Sequence, residues 1–256
     1  MKKLKSRIGI WSFIIFMQLS FHYVTLAAED EEFIRKQIGT YATVSNFIWH
    51  AVTSGGSVAD YKSATFSARE SLVYGIKTSI LEKLETKNFL GAIRTPTLFD
   101  RLIDDCPSCY TWGNPKTHLR EKTPALNEYV DESVRRCFQG FIEDSLFLKS
   151  FNLAVAYSER NPALSAEWLQ QIRERSAARV DNIARKVALL SIIAPDLAAE
   201  ERAQALAIIH SFPEGHELRG HLQACFDNIL TAPRPDVPDA AQLESIRGLA
   251  ERIVGK

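Results

Sequence analysis

An all-α, bundle-like fold is what this chain of 256 residues predicts, and three observations predict it. Apolar residues recur at spacings of three and four along most of its length. The period-two alternation of strands is almost absent. Prolines and glycines punctuate the pattern at helix-length intervals. A single multi-helix bundle of about seven or eight helices is the expected architecture, behind an N-terminal export signal.

The signal is read from residues 1–28. Four positive charges, Lys2, Lys3, Lys5 and Arg7, precede an apolar run from Ile8 to Phe21. Small residues then offer a cut at Thr25-Leu26-Ala27 or Leu26-Ala27-Ala28, just before the acidic Glu29-Asp30-Glu31-Glu32. Charge, apolar core and small residues in that order make a secretory signal peptide, of a composition that looks bacterial. The expected destination is the periplasm or the medium. The alternative is retention: Ile8 to Ala28 spans 21 residues, and roughly 20 apolar residues cross a bilayer. In that case the chain is anchored by an uncleaved N-terminal helix. Gln18, Ser20, His22 and Thr25 thin the apolar character of that stretch and favour cleavage.

Each helix has its own signals. The first starts near Asp30, where four acidic residues suit the positive end of the helix dipole. It runs through Phe33, Ile34, Ile38, Tyr41, Phe47, Ile48 and Val52 to a stop at Gly55-Gly56. A second, from about Asp60, carries Leu72, Ile76, Ile80 and Leu84. Thr95-Pro96 reads as a cap with proline in the first turn, opening a short helix through Leu98, Phe99, Leu102 and Ile103.

Thr123-Pro124 repeats that start and leads into the strongest stripe, Leu126, Val130, Val134, Cys137 and Phe141, in a long central helix expected to reach Ser158. Ser165 is expected to cap the next, whose buried side is Trp168, Ile172, Val180, Ile183, Val187 and Leu190. Pro195 separates it from a helix over Leu197–Phe212, ended by Pro213-Glu214-Gly215. The stretch from His216 to Leu230 places Leu218, Leu222, Cys225 and Ile229 on one side. The helical domain thus covers 29–230. Residues 231–239 hold Pro233, Pro235 and Pro238 and read as a stiff linker, and 240–256 read as an amphipathic helix with Leu243, Ile246, Leu249 and Ile253 in its stripe.

Composition narrows the function. Without the leader the chain carries 27 basic and 31 acidic side chains, a net charge of about −4. A nucleic-acid binder concentrates a basic excess on one face. The densest basic stretch here, Arg173 to Lys186, interleaves Glu174 and Asp181, so a solvated helix face explains it and no nucleic-acid partner is expected. An apolar content of 46% suffices for a real core.

Cysteines carry the only distinctive chemistry. Cys106, Cys109, Cys137 and Cys225 all lie beyond the leader, and an even count in an exported chain favours disulfides. Three pairings are open. One bridge is expected to tie the loop at 104–122 to a core helix, because 19 residues without regular structure need an anchor. Cys106-Pro107-Ser108-Cys109 also has the spacing of a redox-active dithiol. Such a dithiol sits at a helix N-terminus after a strand, whereas this one comes after Ile103-Asp104-Asp105, whose carboxylates disfavour a thiolate.

A metal would need more ligands, with His118, His210, His216 and His221 as the nearby supply. On a helix Glu217, His221 and Cys225 share a face, but the apolar seam through Leu222 and Ile229 already accounts for Cys225. His216-Glu217-Leu218-Arg219-Gly220-His221 departs from the zinc-peptidase HExxH spacing and puts its histidines about 140° apart on the helix. No metal or other cofactor is called for. There is likewise no GxSxG elbow, phosphate loop or haem-attachment sequence.

Tyr110 and Trp112 stand beside Cys109, followed by Gly113, Asn114 and Pro115, with Arg120 further on. Tyrosine, tryptophan and arginine dominate protein-binding hot spots, so a cross-linked loop presenting them is the expected recognition surface. The function this favours is an exported, non-enzymatic helical protein that binds a protein partner. The alternatives are a thiol-disulfide oxidoreductase using Cys106 and Cys109, or a helical carrier of a small apolar ligand.

Overall fold

The computed structural model describes residues 30–50, 52–55, 58–106, 109, 115–231, 245 and 248. The expected leader, Tyr110 and Trp112, the expected linker at 232–239 and nearly all of the C-terminal segment lie outside the described residues. Among the described residues every regular element is a helix and none is a strand: the fold is all-α. In chain order the helices are α1 over 30–50, α2 (Val58–Glu85), α3 (Phe89–Asp104), α4 (Pro115–Arg120), α5 (Thr123–Glu143), α6 (Phe147–Tyr157), α7 (Pro162–Ile193), α8 (Pro195–Ser211) and α9 (Glu217–Thr231). None is long and apolar enough to cross a membrane. They gather into two compact units, divided in the chain between Cys137 and Phe138.

The first unit is built on α1, α2, α3, α4 and most of α5. Its core takes the stripe residues Ile34, Ile38 and Tyr41 of α1, Leu72, Ile76, Ile80 and Leu84 of α2, Phe99, Leu102 and Ile103 of α3, and Leu126, Val130 and Val134 of α5. Phe47 falls off that stripe and is largely exposed. Polar ties hold the entry to α1. The Lys83 ammonium lies 3.1 Å from an Asp30 carboxylate oxygen and donates to the Thr95 hydroxyl at 2.9 Å. Glu31 is held by both Arg35 and Arg101, each at 2.7 Å. The Arg35 hydrogen bond, with burial opposing and Arg101 adding, keeps the Glu31 carboxyl below its usual range. A carboxyl depressed in the folded state stabilises above its unfolded pKa and loses that effect as acid protonates it.

The second unit holds the end of α5 and α6 to α9, with α7 packed against α6, α8 and α9. Phe147, Phe151, Tyr157, Trp168, Ile172, Val180, Ile183, Val187, Ile209, Phe212, Leu222 and Phe226 form its core. The Trp168 ring lies between Phe138, with centroids 4.3 Å apart and planes 7° apart, and Tyr157, at 5.1 Å and 19°. Phe151 meets Phe212 and His216 edge to face. The N-terminus of α9 is capped by His216, whose Nδ1 accepts from the Leu218 N–H at 3.1 Å.

Several boundaries differ from the sequence expectation. The long central helix stops at Glu143 instead of reaching Ser158: the Leu146 N–H donates to the Phe141 carbonyl at 2.8 Å and the Ser145 N–H to the Ile142 carbonyl at 3.3 Å. Ser145 takes φ 57°, so this is a Schellman stop with serine in the seat glycine usually fills. Lys87 (φ 65°) ends α2 in the same way. Glycine removes the Cβ penalty of that conformation, so Ser145→Gly is expected to raise stability by about 0.5–1 kcal/mol, read as a higher urea midpoint at unchanged m-value.

The third helix begins at Phe89, six residues before Thr95-Pro96. Asn88 caps it by accepting from the Gly91 N–H at 3.1 Å. A Cβ on residue 91 would lie 2.5 Å from the Asn88 side chain, so glycine lets this cap close. Thr95 instead sits inside the helix and donates to the Gly91 carbonyl at 2.7 Å. Likewise α7 is capped by Asn161, which accepts from the Leu164 N–H at 3.0 Å, while the Ser165 hydroxyl turns inward to the Ala154 carbonyl at 2.6 Å. The loop at 104–122 is not wholly irregular, since α4 occupies 115–120.

Candidate functional site

The loop between α3 and α5 is anchored at its base. Where α3 ends, the Asp105 N–H still reaches the Arg101 carbonyl at 3.1 Å and the Cys106 N–H the Ile103 carbonyl at 3.4 Å. The next turn closes on itself, with the Cys109 N–H donating to the Cys106 carbonyl at 3.3 Å. Cys106 and Cys109 are joined in a disulfide with Cα atoms 5.4 Å apart. Both are buried, at 7% and 1% exposure. The bridge therefore closes a turn within the loop and does not tie the loop to a core helix.

Charge supplies a second clasp on the other strand of the loop. The Lys116 ammonium donates to the Asp104 backbone carbonyl at 2.8 Å and approaches its carboxylate at 3.8 Å, and Arg120 pairs with the same carboxylate. These cations lie at the C-terminal end of α3, where the helix dipole favours positive charge. Leu119 is fully buried between them, and His118 Nδ1 lies 3.5 Å from the Tyr41 hydroxyl of α1. Arg120, expected at the rim of a recognition surface, is half exposed and oriented by Asp104. Tyr110 and Trp112 lie outside the described residues.

This environment bears on thiol chemistry. Exchange needs an accessible sulfur and a stabilised thiolate. Cys106 and Cys109 have little access, and they sit just past the negative end of a helix beside Asp104 and Asp105.

The other two cysteines are free thiols, each partly buried. Burial pushes the Cys137 thiol above its usual pKa; Arg136 opposes this and Glu85 adds to it. Since the thiolate is the reacting form, native Cys137 is expected to be alkylated at pH 7 roughly tenfold more slowly than in the urea-unfolded chain, as followed by peptide mass spectrometry. Cys225 Sγ lies 3.8 Å from His221 Nε2, one turn back on α9. The third member of that face, Glu217, pairs with Arg173 at 3.1 Å. Among the described residues no group of three or more His, Cys, Asp or Glu side chains is placed to hold a metal ion.

An open groove of about 570 Å³ runs along α5, lined by Glu128, Asp131, Glu132, Arg135 and Arg136. Its charged walls do not suit apolar cargo.

Sequence reasoning missed the clasp. Asp104, His118 and Tyr41 each stand out for other reasons and Lys116 not at all, and nothing in the sequence joins them; the available signal was Leu119, an apolar residue among charges that marks a buried turn. No family model, curated protein or solved structure matches the chain.

Proposed function

We propose that this chain is exported, loses its leader, and serves as a non-enzymatic helical scaffold that binds a protein partner through the segment 110–114, with Arg120 at its rim. The observation that carries the reading is the doubly anchored base of that segment: a buried Cys106–Cys109 bridge on one side and the Asp104–Lys116–Arg120 clasp on the other. A loop held at both ends loses less entropy on binding. Tyr110 and Trp112, which the sequence places in that segment, are the residue types that anchor interfaces. A stable disulfide belongs to an oxidising compartment, in keeping with the order of charge, apolar core and small residues in 1–28. Burial of both sulfurs and their acidic surroundings favour a structural bridge over a cycling dithiol.

Two measurements test this. Intact mass of the natively produced protein is expected to give a chain starting at Ala28 or Glu29. Alkylation of that protein unfolded without reductant should label two of its four cysteines. Cross-linking in the envelope fraction, with mass spectrometry of the products, is then expected to give a discrete adduct that Trp112→Ala or Tyr110→Ala removes while the circular dichroism stays unchanged. A full-length chain with four reactive thiols overturns export; an adduct indifferent to both substitutions overturns the loop.

A further inference from the structure

Three large apolar side chains crowd one end of the second unit. Leu189 and Ile192, near the end of α7, are 53% and 38% exposed, and Leu197, in the first turn of α8, is 51% exposed. Leu189 and Ile192 are three residues apart and so share one side of α7, and the α7–α8 connection at Ala194-Pro195 puts Leu197 at the same end of the helix pair.

The chain leaves the described helices close to this face. The tight α7–α8 connection makes the two antiparallel, and Lys186 opposite Glu201 at 3.7 Å fixes that register. A second short connection, Phe212–His216, reverses the chain again, so α9 runs in the direction of α7. Glu217, which opens α9, lies 3.1 Å from Arg173. With 15 residues, α9 rises about 21 Å, bringing Thr231 level with about Val187, roughly half a turn before Leu189 and about one and a half turns before Ile192.

From Thr231, the eight residues 232–239 span about 25 Å when proline-extended. That is more than the ~10–12 Å diameter of a helix, so the terminal segment 240–256 can reach around the end of the bundle. This segment carries the stripe Leu243, Ile246, Leu249 and Ile253, and within it Ser245 and Gly248 are helical.

We propose that residues 240–256 form a helix that folds back onto this end of the same chain and covers Leu189, Ile192 and Leu197. The occupant is the chain's own terminal segment because it starts within reach and brings an apolar stripe of helical period. The test is made on the full chain. A photo-cross-linking residue at position 249 is expected to couple within the chain to peptides spanning 186–200. Leu249→Glu and Leu197→Glu, each at an exposed or terminal position, are each expected to speed hydrogen exchange of 186–200 at least tenfold, and the double variant no further. Coupling elsewhere in the chain, or unchanged exchange in Leu249→Glu, overturns the proposal. So does coupling between chains with a dimer in sedimentation that Leu197→Glu disperses, which would assign the face to a second copy.

Discussion

Lys83→Ala is expected to lower the stability of the protein by about 2–3 kcal/mol, one of the two largest effects among the substitutions considered. The ammonium of Lys83 is the one strongly buried cation among the described residues, at 6% exposure. It joins three helices: its own α2, the first turn of α1 through Asp30 at 3.1 Å, and α3 through Thr95 at 2.9 Å. Breaking a fully buried pair costs about 3–5 kcal/mol because the remaining charge is stranded. Here Asp30 keeps 23% of its side chain in water, and the Thr95 hydroxyl keeps its bond to Gly91, so the figure falls below that range. Lys83→Met retains the packed stem and is expected to lose about 1 kcal/mol. Urea unfolding of both variants checks this; equal losses would assign the whole effect to the charge, a Met variant as stable as the parent would assign it to packing, and an Ala variant within about 0.5 kcal/mol of the parent would remove the pair from the account of how α1 is held.

That pair was invisible in the sequence, and the reason is general. Lys83 sits amid Leu81, Glu82, Leu84 and Glu85 like any surface lysine on an amphipathic helix. Nothing local announces that Asp30, more than fifty positions earlier, will cover it. The stripes were legible because burial repeats at the helix period: Ile76, Ile80 and Leu84, or Val130 and Val134, are all buried where the spacing puts them.

Boundaries were less so wherever the stop used an uncommon residue. The sequence around 143–147 offers neither glycine nor proline, yet Ser145 takes a positive φ and turns the chain. At 95–96 the opposite happened. A threonine-proline pair that normally opens a helix lies inside one, because Asn88 with Gly91 makes a better cap about two turns earlier. At the candidate site, the CxxC spacing pointed to a local pairing as one option, and that option is the one formed. The Asp104–Lys116–Arg120 clasp was not legible, since charges in a loop do not name their partners until a short helix such as α4 aligns them.

Trp168→Ala is expected to cost about 4 kcal/mol, the larger of the two effects, and the reasoning rests on where three helices of the second unit come together. Phe138 comes from the end of α5, Tyr157 from the last turn of α6 and Trp168 from the second turn of α7, and all three rings are buried. Removing a buried tryptophan typically costs about 3–5 kcal/mol, from lost transfer energy and the cavity left behind. The two stacked contacts, at 4.3 and 5.1 Å, would add about 0.5–1.5 kcal/mol each to simple burial, which places the expectation in the upper half of that range. Trp168→Phe keeps an aromatic face against both neighbours and is expected to lose only about 1–2 kcal/mol. Since domains are stable by about 5–15 kcal/mol, the alanine variant should lose near-ultraviolet dichroism at a much lower urea concentration than the parent while the phenylalanine variant stays close to it. A Trp168→Ala loss under about 1.5 kcal/mol would mean that Phe138 and Tyr157 close over the gap, and the stack would then be a consequence of α5, α6 and α7 meeting instead of a cause.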